Sequence, residues 1–216
     1  MDLVLTFLDY FGVVVFAVTG CLVAARRRVD IVGFALLGTV TGIGGGTIRD
    51  LLLGKPVFWV EAPLYLILCA GTACFMFFGA RWMVGWRARA ILWADAVGLG
   101  VFTIIGTRVG IEQGASFPVC VLTGIMTATF GGIIRDLLSA EPTLVLRKEV
   151  YVTACFCGAI VFWAMERTGV SETFCIPASF LTTFGIRSLA LWKGLALPGY
   201  GSARGETDIT DAASGP

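Results

Sequence analysis

What most constrains this chain is the recurrence of windows of about 18 to 22 residues almost free of charged side chains. A backbone inside a bilayer has no water to satisfy its N–H and C=O groups, so a segment of that length crosses as a helix. Apolar windows between charged or proline-bearing breaks fall near residues 7–25, 32–53, 63–81, 90–108, 117–139, 149–165 and 173–192. With 57% hydrophobic residues, 14% charged residues and a mean hydropathy of +0.87, the chain is far more apolar than a water-soluble core requires. The expectation is an all-α membrane protein with seven transmembrane helices.

Those helices are not seven independent inventions. A shift of 86 superposes residues 9–73 on 95–159 without a gap, with 20 identities in 65 positions. Asp9, Gly12, Phe16 and Gly20 fall on Asp95, Gly98, Phe102 and Gly106, and "GGTIRDLL" recurs as "GGIIRDLL". Each unit contains three spans, an odd number, so the second copy enters the membrane from the opposite side. The expected architecture is an inverted 3+3 repeat plus a seventh helix. It forms a single transmembrane domain over 1–192, with repeat one at about 7–82, repeat two at about 90–166 and the last helix at about 173–192. Inverted pairs of this kind carry solutes or ions at their interface, commonly through helices with an interrupted backbone.

Glycines, threonines and arginines concentrate where that interface is expected. Gly38, Thr41, Gly42, Gly45 and Arg49 recur at helical spacing on one face, and Gly124, Thr127, Ala128, Gly131 and Arg135 repeat the pattern. Two readings stand side by side. The small-residue series Gly38, Gly42, Gly46 permits close helix packing in lipid. Alternatively, Gly44, Gly45 and Gly46, with Gly131 and Gly132, let the second and fifth spans bend or open and turn carbonyl oxygens toward a cation, with Thr41 and Thr127 beside them. Arg49 and Arg135 either extend to the interface or need buried partners. Symmetric ion pairs Asp9–Arg49 and Asp95–Arg135 are expected, while Asp50 and Asp136, one residue on and about 100° around the helix, face another neighbour or a wet mouth. Lys148 and Glu149 open the sixth span where the first copy has Ala62 and Pro63. They serve either as a cytoplasmic anchor with a helix-start carboxylate or as part of a gate.

A nucleotide loop is excluded, because neither glycine motif ends in Gly-Lys-Ser/Thr. The chain has no histidine, which removes Ser-His-Asp and Cys-His catalysis, and no nucleophile–base pair stands out. No enzymatic activity is expected. The seven cysteines contain no C-x-x-C pair and read as small core residues; no metal site and no cofactor are expected. A formal charge of +1 without a basic stripe gives no reason to expect nucleic acid.

Lys55, Arg108 and Arg167 fall on the N-terminal side, against Arg26, Arg27, Arg28, Arg81, Arg87, Arg89, Arg147 and Lys148 on the other. The excess places the N-terminus outside and the C-terminus in the cytoplasm of a bacterial-type inner membrane. Acidic residues stand where a signal peptide would carry basic ones, so the first segment is expected to remain as a helix. Residues 193–216 are polar and weakly acidic and read as a disordered cytoplasmic tail.

The paired "GG-x-x-RD" motifs, the three-plus-three repeat with a seventh helix, and Lys148-Glu149-Val150 after the second motif resemble the bacterial trimeric intracellular cation (TRIC) channel family over about residues 5–192. The resemblance implies a homotrimer of seven-helix protomers in membrane lipid, with one pore in each protomer. It implies conduction of monovalent cations, chiefly potassium and sodium, along spans two and five bent at Gly44–Gly46 and Gly131–Gly132. Lys148, Glu149 and Val150 match that family's gating or pore-associated element. Phe130 stands where the first copy has Gly44, which makes a bend in the fifth span weaker. The same duplicated domain occurs in bacterial proteins labelled glycine transporters, so a secondary carrier of a small solute such as glycine remains the alternative.

Overall fold

The computed structural model describes residues 3–79, 87–141, 143 and 150–195, and in them the chain is entirely helical. Eight helices follow in order: α1 Leu3–Arg27, α2 Ile31–Leu52, α3 Phe58–Glu61, α4 Leu64–Gly79, α5 Arg87–Glu112, α6 Phe117–Leu138, α7 Val152–Arg167 and α8 Glu172–Lys193. Five of them, α1, α2, α5, α6 and α8, are long and apolar enough to cross a bilayer. The sequence windows missed α3, whose four residues are too few to show any periodicity, and they ended the fourth window short of Glu112.

Local chemistry sets the ends. Asp30 caps α2 by accepting the Gly33 N–H at 2.8 Å, so the chain turns from α1 into α2 within three residues. Ser116 and the following Pro118 start α6, where a missing N–H costs nothing. α8 stops at Gly194 in the left-handed conformation, φ 63°.

The core lies where α1 and α5 cross face to face. The rings of Phe16 and Phe102 meet edge-on with centroids 5.0 Å apart. Gly98 is filled by the Phe16 ring and Gly12 by Phe102 and Val101, so each helix offers its glycine to the other's phenylalanine. α2 and α6 cross beside them with the same reciprocity. Gly45 lies against the Thr127 carbonyl, and Gly131 against the Thr41 carbonyl. These equivalences follow the 86-residue shift and make the two halves partners about one crossing point.

The ends of the helices sort into two groups. Arg108 of α5 forms ion pairs with Glu112, Glu166 of α7 and Glu172 of α8, and Glu172 shares a cavity with Val4 of α1. At the other end, Arg26 and Arg27 of α1 reach Glu141 after α6 at 3.3 and 3.7 Å, and Arg27 donates to the Ala140 carbonyl at 3.0 Å. Because the arginines of this clamp are more than 40% exposed, it is expected to contribute less than about 1 kcal/mol. Glu141→Gln should therefore shift thermal unfolding in detergent by no more than roughly 3 °C; a larger loss would mean the clamp is shielded from water.

Candidate functional site

The small-residue face of α2 is filled along its length. A side chain at Gly38 would meet Cys21 Sγ at 2.8 Å, one at Gly42 the Val13 carbonyl at 2.9 Å, and one at Gly46 the Phe58 ring at 2.6 Å. Gly124 on α6 lies against Thr107 and the Thr103 carbonyl. Among the described residues both helices run as α-helix across their glycines, so the expected interruption is not present: the glycines here allow close approach. A side chain at Gly44 would meet Ile134 Cδ1 at 2.9 Å, and one at Gly132 the Tyr151 hydroxyl at 3.1 Å. The hydroxyls of Thr41 and Thr127 turn back onto their own helices, donating at 2.6 Å to the Leu37 and Thr123 carbonyls. This is the usual way a threonine satisfies itself in an apolar helix.

The two arginines that follow the glycines are buried. Arg49 is 4% exposed and Arg135 1% exposed, so neither extends to the interface. Arg135 on α6 gathers three partners: its Nη1 donates to Asp95 Oδ1 of α5 at 3.0 Å and to Thr19 Oγ1 of α1 at 2.9 Å, while Nε donates to Asp136 Oδ1 at 2.9 Å. The expected pair Asp95–Arg135 is thus formed.

The expected pair Asp9–Arg49 is not. Arg49 Nε and Nη2 both lie 2.8 Å from Asp50 Oδ1, and its Cζ stands 5.7 Å from the centroid of the Phe58 ring. Asp50 Oδ2 accepts the Phe58 N–H at 3.0 Å, which ties the start of α3 to the end of α2. Asp9 instead accepts the Tyr65 hydroxyl at 2.7 Å. Asp50 and Asp136 are both buried against the arginine that precedes them and not at a wet mouth, and Asp50 also meets another neighbour at the start of α3. The arginine stem is long enough to curl over the 100° between consecutive residues and reach the neighbouring carboxylate.

The halves therefore share residues and differ in wiring. Under the 86-residue shift Thr19 falls on Ile105, so the second half has no hydroxyl to offer Arg49 as Thr19 is offered to Arg135. Arg26 falls on Glu112 and Glu141 on Lys55, a reversal of both charges, yet Glu112 pairs with Arg108 and not with Lys55. Polar links between the halves gather at the Arg135 end. Lys148 and Glu149 lie outside the described residues, as do residues 196–216 of the tail.

Comparison with known proteins places this geometry. A family model described as "Glycine transporter" matches twice, over residues 6–81 and 92–167, more than half of the chain. The crystal structure of the TRIC trimeric intracellular cation channel orthologue from Rhodobacter sphaeroides superposes with a TM-score of 0.87 at 47% identity, covering 90% of this chain and 100% of that one. This chain is a member of the bacterial TRIC-like family. A UPF0126 membrane protein of Vibrio cholerae is 38% identical over 199 residues, 89% of this chain and 81% of its own length. The UPF0126 inner membrane protein YadS of Escherichia coli K12 is 37% identical over 203 residues, 89% of this chain and 94% of its own. None of these relatives is described as an enzyme.

Four buried side chains of this TRIC-like protein escaped the motif reading. Tyr65 and Tyr151 are identical under the shift, each facing the aspartate that begins its half, Asp9 or Asp95. The repeat alignment contains that signal. Thr19 has no counterpart and no motif, and only the fold brings it to Arg135. Arg187 of α8, 1% exposed, donates to the Val150 carbonyl and stands 5.1 Å over the Tyr151 ring. A lone arginine near the end of the last span carried no mark that it would be buried.

Proposed function

We propose that the protein is a passive channel for monovalent cations, potassium and sodium, in a bacterial-type inner membrane. The observation that carries this reading is the 47% identity and full-length superposition on a protein described as a trimeric intracellular cation channel. The reciprocal crossing of α2 and α6, with a buried guanidinium and two carboxylates in each half, supports it from within the chain. Charged groups this deep in a bilayer protein mark an ion path more often than a scaffold.

The finer reading is an inverted 3+3 repeat with a seventh helix, in which α4 and α7 also cross. At about 1.5 Å per residue their 16 residues reach roughly 24 Å, most of a hydrocarbon core about 30 Å thick. Each protomer of a homotrimer then holds its own pore along α2 and α6. Gly44, Gly45, Gly46, Gly131 and Gly132 are the positions at which these helices, continuous here, bend as the path opens, and Lys148 and Glu149 act as gating elements at the cytoplasmic end. The basic excess supports an external N-terminus. Membrane lipid is the trimer's other partner in this reading.

A planar bilayer holding the purified, reconstituted protein under a potassium chloride gradient tests the reading. Unitary currents reversing near the potassium potential are expected, altered in Arg49→Ala and in Lys148→Ala. The carrier alternative draws on the family model described as a glycine transporter. Bilayers silent at every voltage, with saturable glycine uptake into the same liposomes, would replace the channel by that carrier.

A further inference from the structure

Asp9 is the one member of the repeated constellation whose charge is left uncompensated. Its side chain is 5% exposed on α1, a helix apolar and long enough to cross the bilayer. Oδ2 accepts the Tyr65 hydroxyl; Oδ1 accepts no hydrogen bond, and the carboxylate forms no ion pair among the described residues. The charged groups that reach it are Arg49 and Asp50, and Arg49 spends both its Nε and its Nη2 on Asp50. Asp9, Arg49 and Asp50 together carry a formal charge of −1.

Its counterpart shows that this is wiring and not composition. In the second half Arg135 divides itself between Asp95 and Asp136, giving the equivalent aspartate a guanidinium 3.0 Å away. The sequence places the same aspartate, arginine, aspartate and tyrosine in both halves, yet only Asp9 lacks a cation. An ionised carboxylate taken out of water without a counter-charge costs several kcal/mol, and a site of this kind takes up either a proton or a cation. A tyrosine hydroxyl already holds one oxygen and orients the other. Hard monovalent cations prefer oxygen ligands, and two oxygens are in place here.

We propose that Asp9 is the principal ligand of a monovalent cation site, for sodium or potassium, with the Tyr65 hydroxyl as positioning group and second oxygen ligand. Asp9 lies six residues after the first described residue of α1, about 9 Å along its axis, so an ion arriving at that end meets the site early. Asp50, locked to Arg49 and to the Phe58 N–H, keeps the guanidinium from displacing the ion. The site rests on the cation-channel reading and locates one dwelling place of its ion.

The test is thermal unfolding of the purified full-length protein in detergent, at constant chloride and ionic strength, with choline exchanged for sodium or potassium. The wild type is expected to gain roughly 4 °C between 0 and 100 mM of the small cation. Asp9→Asn should abolish the gain, and Asp30→Asn, which alters only the exposed cap of α2, should keep it. Tyr65→Phe should raise the half-effect concentration several-fold and keeps the question open to measurement if Asp9→Asn does not fold. A wild type indifferent to the small cation overturns the site, as does an Asp9→Asn protein with an undiminished gain. So does an infrared carboxylic-acid band at neutral pH that disappears in Asp9→Asn, which would assign Asp9 a proton. Currents that persist in a protein with no cation-dependent gain would remove the site and leave the channel. A gain lost in Asp9→Asn, in a protein that passes no current, would leave the site and remove the channel.

Discussion

Gly45→Ala is expected to lower the thermal unfolding midpoint by roughly 6 to 12 °C, the loss that follows from about 3 kcal/mol of overpacking in a chain of this size. The new methyl group would fall against the Thr127 carbonyl oxygen and within 3.0 Å of its carbon. Those atoms are backbone, so no rotamer change relieves the clash and α2 must move off α6. The crossing is reciprocal, since Gly131 meets the Thr41 carbonyl in the same way, and Gly131→Ala should cost a similar amount. Gly71→Ala is the control: it sits inside α4 with nothing within 4 Å, and alanine is the better helix former by about 1 kcal/mol. Unfolding followed by light scattering or intrinsic fluorescence in one detergent reads all three. A Gly45→Ala protein as stable as the wild type would mean that the two helices do not touch here.

Arg135→Met should cost more, about 3 to 5 kcal/mol, because it strands the Asp95 carboxylate and takes from Asp136 the guanidinium 2.9 Å away. Asp95 is fully buried and Asp136 is 4% exposed, so water cannot take the place of the lost cation. Thr19 loses a donor as well, although its hydroxyl keeps its own bond to the Phe16 carbonyl. Asp95→Asn in the Arg135→Met background should return part of the loss by removing one stranded charge. A cycle over the two positions should give a coupling energy above 1 kcal/mol. Additive losses would show that Asp95 and Arg135 do not sense one another, against their 3.0 Å contact. Detergent denaturation at fixed pH and salt provides the four stabilities.

Much of this arrangement was readable before any coordinates. The 86-residue shift brings Asp95 into register with Asp9, Arg135 with Arg49 and Tyr151 with Tyr65, and each of these residues is buried. Helical spacing put the glycines on a common face, and they do pack there. What could not be read was the choice between partners. Asp9–Arg49 and Asp95–Arg135 are equivalent on paper, but Arg49 has turned wholly to Asp50. The start of α3 fixes that carboxylate from the other side, and the equivalent chain, residues 144–149, has a different sequence. Ile105 in place of Thr19 removes the remaining symmetry.

Membrane residence, the duplication and the pairing of like residues were determined by the sequence alone. Each depends on properties that recur along the chain, namely an apolar run matched to bilayer thickness and a unit copied at constant offset. The tertiary structure decided which carboxylate holds each arginine, which neighbour each glycine admits, and which aspartate is left without a counter-charge. Those outcomes are small differences between large electrostatic and packing energies, set by shifts of an ångström or two in side chains brought together from distant positions. No local pattern encodes such a difference, because its terms exist only once the helices have met.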